Sequence, residues 1–172
     1  FGGDTIPNKW YIKYAKDADF AIHECFMPPS LMMTKYGFSA RAALNVATGV
    51  HTPPASFGKV MSMIKPRLAV AYHFFNDFDT RYPIMEGIRR TYDGPLTMAT
   101  DLLVWNVTKD DIRVRQAIVD EESWPAKSPT KPDEPDPKAK VEFSEFLKDG
   151  KQDMSKTLGP LIEKFQKENN LK

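Results

Sequence analysis

The stretch Leu68-Ala69-Val70-Ala71-Tyr72-His73 decides the fold that this sequence predicts. A short, unbroken apolar run of this kind is typical of a strand that is buried on both faces, as in a parallel sheet. An amphipathic helix precedes it, because Thr52-Pro53 is a helix start and Lys65-Pro66 a helix end. His73 stands where the strand ends, and active sites in open sheets lie at strand ends. The stretch therefore predicts an α/β fold with a candidate functional residue at one edge of its sheet.

Strands and helices alternate on both sides of this stretch. Upstream, Phe20-Ala21-Ile22 predicts a second buried strand that ends at His23-Glu24. Downstream, two β-rich runs joined by Thr108-Lys109-Asp110-Asp111 predict a hairpin. Helical spacing or capping predicts the remaining helices, at residues 7–18, 30–36, 39–48 and 79–93.

Composition divides the chain into three parts. Residues 1–122 form the α/β part, and residues 123–140 are rich in proline and charge, which predicts an extended linker. Residues 141–172 carry two apolar helical faces that are too small for a core of their own, so we expect this tail to dock on a partner. Because Phe1-Gly2-Gly3 reads as the end of a strand, we also expect that the preceding strand lies elsewhere.

Charge and cysteine content exclude several classes of function. Lys and Arg number 24 and Asp and Glu 23, so no global field attracts nucleic acid. The single cysteine, Cys25, excludes an internal disulfide and a cysteine-based zinc knuckle, which favours the cytoplasm. No apolar run reaches the roughly 20 residues of a membrane span, and the first residues do not resemble a signal peptide.

Five polar residues stand at predicted strand ends or helix starts, and they include all three histidines of the chain. A histidine at a strand end is more often structural than functional. Similarly, an aspartate in a turn can simply accept hydrogen bonds from the turn amides, and a glutamate can be an exposed strand terminus. The order and context of the set still make its members candidates for a site: Asp4, His23, Glu24, His51 and His73.

As an ordered set, these residues resemble a known family. Gly3-Asp4-Thr5, the strand ending in His23-Glu24, His51-Thr52 before a helix, and Tyr72-His73 after a strand are similar to the C-terminal half of metallo-β-lactamase-fold proteins. The ribonuclease Z and arylsulfatase-like branch is the most similar, over about residues 1 to 120. The resemblance implies one half of an αββα sandwich, followed here by the linker and the helical tail.

The resemblance also implies roles for individual residues. Asp4 would bridge two divalent metal ions and His73 would bind one of them, while Glu24 and His51 would form a relay that serves the leaving group. His23 has no ligand role in that pattern. Zn²⁺ is the expected metal, with Mn²⁺ or Fe as alternatives, because a neutral imidazole suits all three and a shared carboxylate offsets the repulsion between two cations.

The sequence departs from the family in the ligands that it offers. The His-x-His-x-Asp-His loop and the middle histidine of the family are absent, and two ligands do not hold a dinuclear site. We therefore expect a hetero-oligomer in which a second polypeptide supplies the other half of the fold and shares the metals. A degenerate domain without metal is the alternative.

Substrate class is predicted from the side chains that flank the candidate metal residues. Phe26, Met27, Phe74 and Phe75 suit a pocket for a small aromatic ester or ether, although ordinary core packing is the other interpretation. The split also resembles two-polypeptide nitroaryl methyl ether hydrolases (nitroanisole O-demethylases). A ribonuclease Z-like phosphodiesterase and a non-catalytic interaction subunit are the alternative functions, and the balanced charge argues against RNA.

Overall fold

The computed structural model describes residues 1–119 and 142–171 of the 172-residue chain. The predicted linker, the first residue of the tail and its last residue lie outside the described residues. The first part is a mixed α/β unit, and the tail contributes two further helices. The α-helices of the described residues are α1 Lys9–Tyr14, α2 Pro29–Tyr36, α3 Ala40–Asn45, α4 Pro54–Ile64, α5 Arg81–Arg89, α6 Glu145–Gly150 and α7 Ser155–Glu168. The strands are β1 Phe20–Glu24, β2 Leu68–Tyr72, β3 Leu96–Met98, β4 Leu103–Val107 and β5 Ile112–Gln116.

A parallel sheet in the order β1-β2-β3 forms the centre of the unit. The register pairs His23 with Ala71 and Glu24 with Tyr72, so β1 and β2 end side by side. Gly2 adds a parallel bridge to His23 at the outer edge of β1. The predicted strands β1 and β2 are confirmed. Strand β3 was not predicted, because its three residues are too few to show a periodic pattern. The carboxyl ends of β1 and β2 therefore lie next to the turn that follows Gly2.

The hydrophobic core lies between this sheet and the helices. Small residues of β1 and β2, Ala21, Ala69 and Ala71, are buried with the apolar side of α4. The α4 residues in this core are Phe57, Val60, Met61 and Ile64, as their helical spacing predicted. Each of these large side chains contributes about 1.5–3 kcal/mol on full burial, so α4 is firmly held on the sheet.

Local sequence fixes both ends of α4. Pro53 precedes the helix and Pro54 is its first residue, a position where the missing proline N–H costs no helical hydrogen bond. Lys65 ends it in the left-handed conformation at φ 56°, and Pro66 prevents continuation. His51 and Thr52 stand just before this helix, after a π-helical turn at Val46–Val50.

The other face of the sheet is only partly covered. Strand alternation sends Ile22, Val70 and Tyr72 to this face, where they line a cavity of about 240 Å³ together with Trp105. Trp105 belongs to the β4–β5 hairpin. The hairpin packs against the edge strand β1 through this side chain, whose ring centroid lies 5.4 Å from that of Phe20. Phe20, Ile22 and Tyr72 are half-buried.

The described part of the tail packs against the chain's own first helix and core. Lys151 forms a bridge with Asn8, and the Gln152 amide donates to the Pro7 carbonyl at 3.0 Å. Phe146 stacks on Trp10 at 5.5 Å, and Met154 is buried in the core. Phe143, Phe146 and Leu147 remain 58%, 65% and 50% exposed, and docking of this surface on a partner stays a prediction.

No helix in the described ranges combines the length and the apolar character needed to span a bilayer.

Candidate metal centre

Three side chains from separate segments converge at the carboxyl ends of β1 and β2. Asp4 follows the Gly2 bridge, His51 precedes α4, and His73 follows β2. One ligand atom from each lies within 4.8 Å of the ligand atoms of the other two. The convergence arises because parallel strands end at the same edge and because the Gly2 segment and the start of α4 both reach that edge.

Glycine at position 2 allows the Asp4 turn to approach the sheet. The Gly2 amide donates to the Ile22 carbonyl at 2.8 Å, and the residue is buried. A Cβ at this position would lie 2.7 Å from Cδ2 of the fully buried His23 ring, which is closer than real Cβ contacts. The turn that carries Asp4 therefore requires a residue without a side chain at Gly2.

His51 is held by the buried carboxylate of Glu24. Its Nδ1 lies 2.8 Å from Oε2 of Glu24, whose side chain is fully buried, and the Phe26 ring stacks on the imidazole at 4.3 Å. The amide of Thr5 donates to Oε1 of the same carboxylate. The imidazole is thus fixed on one edge by a carboxylate and on one face by an aromatic ring.

Burial sets the protonation of this pair. Desolvation raises the pKa of Glu24 to about 7, although the Thr5 amide and His73 act in the opposite direction. Desolvation also lowers the pKa of His51, while the nearby charge of Asp4 acts to raise it. A neutral imidazole is the form that binds a metal ion.

His73 has an unusual backbone conformation. Its φ is 65°, in the left-handed region that residues other than glycine rarely adopt. In this conformation its Nε2 lies 3.2 Å from Oδ1 of Asp4. The Cys25 amide donates to the Tyr72 carbonyl at 2.8 Å, which fixes the end of β2 against the residue that follows Glu24. Strained backbone of this kind is often found at functional sites.

The three donors fit a divalent transition metal. Two imidazole nitrogens and one carboxylate oxygen suit Zn²⁺, Mn²⁺ or Fe²⁺. A tetrahedral zinc ion separates its donors by roughly 3.4 Å, so small side-chain rotations are enough for Asp4, His51 and His73 to share one ion. Asp4 and His73 have side-chain exposures of 61% and 35%, so both can rotate and both are accessible to a ligand.

The structure brings four of the five sequence candidates together. Asp4 and His73 are neighbours, and Glu24 contacts His51, as the relay required. The sequence did not predict that His51 joins the metal donors as well. Only the position of the π-helical turn relative to the sheet edge brings it there, and no local motif reports this.

The fifth candidate, His23, lies outside the donor group. Its ring is fully buried between Tyr11 and Phe57, and its Nδ1 lies 2.8 Å from the Glu24 carbonyl. Its Nε2 has no hydrogen-bond partner among the described residues. Burial lowers the pKa of His23, so the ring is a neutral part of the core.

The four residues predicted to line a substrate pocket have different environments. Phe26 covers His51, and Phe74 packs partly against the core. Phe75 is 52% exposed and contacts the Tyr36 ring at 4.8 Å. Met27 is fully buried in the core, which favours the core interpretation for that residue. A substrate-binding role for the other three stays a prediction.

Comparison with solved structures finds a neighbour, whereas comparison with protein-family models and with curated proteins finds no match. Among solved structures, the chain is similar to the metallo-β-lactamase fold protein YhfI from Bacillus subtilis, with 17% identity and a TM-score of 0.39. The similarity covers 56% of this chain, which spans about a third (34%) of the YhfI chain. At these values the neighbour carries no argument about the site.

Proposed function

We propose that this chain is part of a metal-dependent hydrolase in which Asp4, His51 and His73 bind a divalent metal ion. The observation that carries the proposal is the convergence of three donor groups, within 4.8 Å, from three separate segments of the chain. The buried Glu24 carboxylate behind His51 adds to it, because carboxylates commonly orient the histidines that bind metals.

Glu24 selects the tautomer of His51. With Nδ1–H donating to the carboxylate, Nε2 keeps its lone pair and becomes the ring atom that binds the ion. Phe26 restricts rotation of the same ring by stacking on it. His51 is therefore oriented before any ligand arrives, which reduces the entropy lost on binding.

Asp4 and His73 form the accessible side of the centre. A divalent ion, when bound, supplies Lewis acidity towards a substrate oxygen and lowers the pKa of water. The exposed Asp4 carboxylate has two oxygens, one facing His73 Nε2, so it has the capacity to bridge two ions as the resemblance implies. Asp4, His51 and His73 would hold the ion at this edge of the sheet.

A second polypeptide completes the centre in this proposal. Three donors from the described residues are fewer than two ions require. The sheet face with Ile22, Tyr72 and Trp105 is also only half-covered, and such apolar faces are stable when another layer packs on them. We infer that the partner carries the His-x-His-x-Asp-His half and packs on this face.

A small aromatic ester or ether is the proposed substrate. Phe26 and Phe74 lie beside the metal residues, and Phe75 is exposed on the loop that follows His73. These rings favour a flat apolar group over a charged polymer. A nitroaryl methyl ether is one member of this class.

Zn²⁺ titration of the full-length chain, in competition with a chromophoric chelator, tests the centre. We expect one Zn²⁺ per chain, and a loss of affinity of more than about 100-fold in Asp4→Ala and His73→Ala, because each removes a ligand. Asp93→Ala is the matched control, since this exposed carboxylate precedes β3 at the opposite end of the sheet. Wild-type affinity in both ligand variants would overturn the proposal.

The His51→Ala variant separates a ligand from a relay. As a ligand, His51 is needed for Zn²⁺ binding. If His51 acts only as a relay, the His51→Ala variant should keep its metal, and its turnover should fall by about 10²- to 10⁴-fold, the usual range for general acid–base groups. Turnover is measured on the complex with the partner, using a nitrophenyl ester, a nitroaryl methyl ether and a nitrophenyl phosphodiester. A wild-type complex that is metal-free and inactive would instead indicate an interaction subunit.

A further inference from the structure

We propose that Thr52 is a positioning residue that holds the Asp4 turn and His51 in a fixed relation to the end of β1. This inference rests on the proposed metal centre and adds to it the residue that joins its separate segments. The joining is direct, because Thr52 follows His51 in the chain and its hydroxyl contacts the turn that carries Asp4.

The side chain of Thr52 ties together two turns that are far apart in sequence. Its Oγ1 donates to the Thr5 carbonyl at 2.6 Å, across 47 residues of chain. Thr5 directly follows Asp4, so the position of the Asp4 turn relative to His51 depends on this bond. The Thr52 side chain is fully buried, where water does not replace a lost partner.

The backbone of Thr52 is bound to the segment that directly follows β1. The Thr52 carbonyl accepts a hydrogen bond from the Phe26 amide at 2.8 Å. The Glu24 carboxylate, at the end of β1, accepts a hydrogen bond from the amide of Thr5, the residue whose carbonyl Thr52 holds. The hydroxyl and the carbonyl of Thr52 thus connect the Asp4 turn, the segment that follows β1 and the start of α4.

Replacement of the hydroxyl removes one connection and leaves the shape. Thr52→Val keeps the branched side chain and the backbone hydrogen bond with Phe26, but leaves the Thr5 carbonyl without its partner. Thr52→Ser keeps the hydroxyl and loses only a methyl group. If the hydroxyl positions the two turns, Thr52→Val should weaken Zn²⁺ binding and Thr52→Ser should retain it.

Zn²⁺ affinity of the full-length chain is the first measurement. We expect about a 10-fold or greater loss in Thr52→Val, the range found when a group that orients a metal ligand is removed, and wild-type affinity in Thr52→Ser. Thr91→Val is the matched control, because the Thr91 hydroxyl donates to a backbone carbonyl, that of Ala55, at 2.7 Å without contacting either turn. Equal losses in Thr52→Val and Thr91→Val, or unchanged affinity in Thr52→Val, would overturn the inference.

Hydrogen exchange of the Thr5 amide, in the chain kept metal-free with chelator, is the second measurement. We expect at least about a 10-fold faster exchange in Thr52→Val, with no change at Val70 in the middle of β2. Unchanged Thr5 protection would refute the role of Thr52 even if Zn²⁺ binding falls.

The two measurements keep the two proposals apart. If the wild-type chain binds no Zn²⁺, the proposed function fails, and the exchange rates alone decide whether Thr52 holds the turn. If Thr52→Val does not fold, Thr52→Ala serves as the second variant without the hydroxyl. A loss of affinity in Thr52→Ser would contradict the inference in either case.

Discussion

Nδ1 of His51 lies 2.8 Å from Oε2 of Glu24, and the carboxylate of Glu24 is fully buried. An imidazole fixed in this way presents its other nitrogen to the sheet edge where Asp4 and His73 lie. A buried carboxylate is costly unless its oxygens are used, and here both accept hydrogen bonds. We therefore interpret Glu24 as a buried carboxylate whose function is to orient the His51 ring.

Glu24→Gln should weaken Zn²⁺ binding by about 10- to 100-fold, the usual effect of changing a residue that orients a metal ligand. The two carboxylate oxygens accept from the Thr5 amide and from His51 Nδ1. The side-chain amide of glutamine would place its own N–H against one of these two donors. The measurement is a Zn²⁺ competition titration with Glu86→Gln, an exposed carboxylate on α5, as control. Equal affinity in the two variants would contradict the role of Glu24.

Gly2→Ala should destabilise the chain by about 1–3 kcal/mol, the cost of forcing extra atoms into a packed site. The new Cβ would meet the buried His23 ring at 2.7 Å, so the Asp4 turn must move. Gly3→Ala is the matched control, because its Cβ would find only the Tyr72 hydroxyl at 4.0 Å. Urea unfolding compares the two, and similar midpoints would show that Gly2 is not a close-contact position.

Stability should fall below about pH 6.5 because of His23. Burial lowers the pKa of the folded ring, so the unfolded chain binds a proton first as pH falls. The free energy of unfolding is unaffected by His23 above its unfolded pKa, and below it decreases by up to about 1.4 kcal/mol per pH unit. Urea unfolding in chelator at pH 5 to 8 should show a smaller loss for His23→Gln. Parallel pH profiles would rule out this contribution.

The two tail glycines should respond to alanine in opposite directions. At Gly150, a Cβ would lie 2.6 Å from the Trp10 ring, so Gly150→Ala should detach α6 from α1 and lower stability. At Gly159, inside α7, nothing lies within 4 Å, so Gly159→Ala should stabilise by up to about 1 kcal/mol through helix propensity. Thermal unfolding tests both, and stabilisation by Gly150→Ala would show that the tail is not docked on α1.

The sequence by itself determined the elements that have a strong local pattern. The apolar runs at Phe20 and Leu68 predicted β1 and β2, and proline at both ends of α4 predicted its limits. It also identified Asp4 and His73 as candidates, because strand ends and turns place polar residues at a sheet edge. These features depend on neighbouring residues alone, so the linear sequence contains them.

Only the tertiary structure decided which distant residues meet. The convergence of His51 with Asp4 and His73 depends on how α4 and the π-helical turn pack on the sheet. The bond from Thr52 to Thr5, the burial of Met27 and the docking of the tail on Trp10 likewise depend on contacts across long stretches of chain. Periodicity reports which face of an element is apolar, but it does not report which other element covers that face.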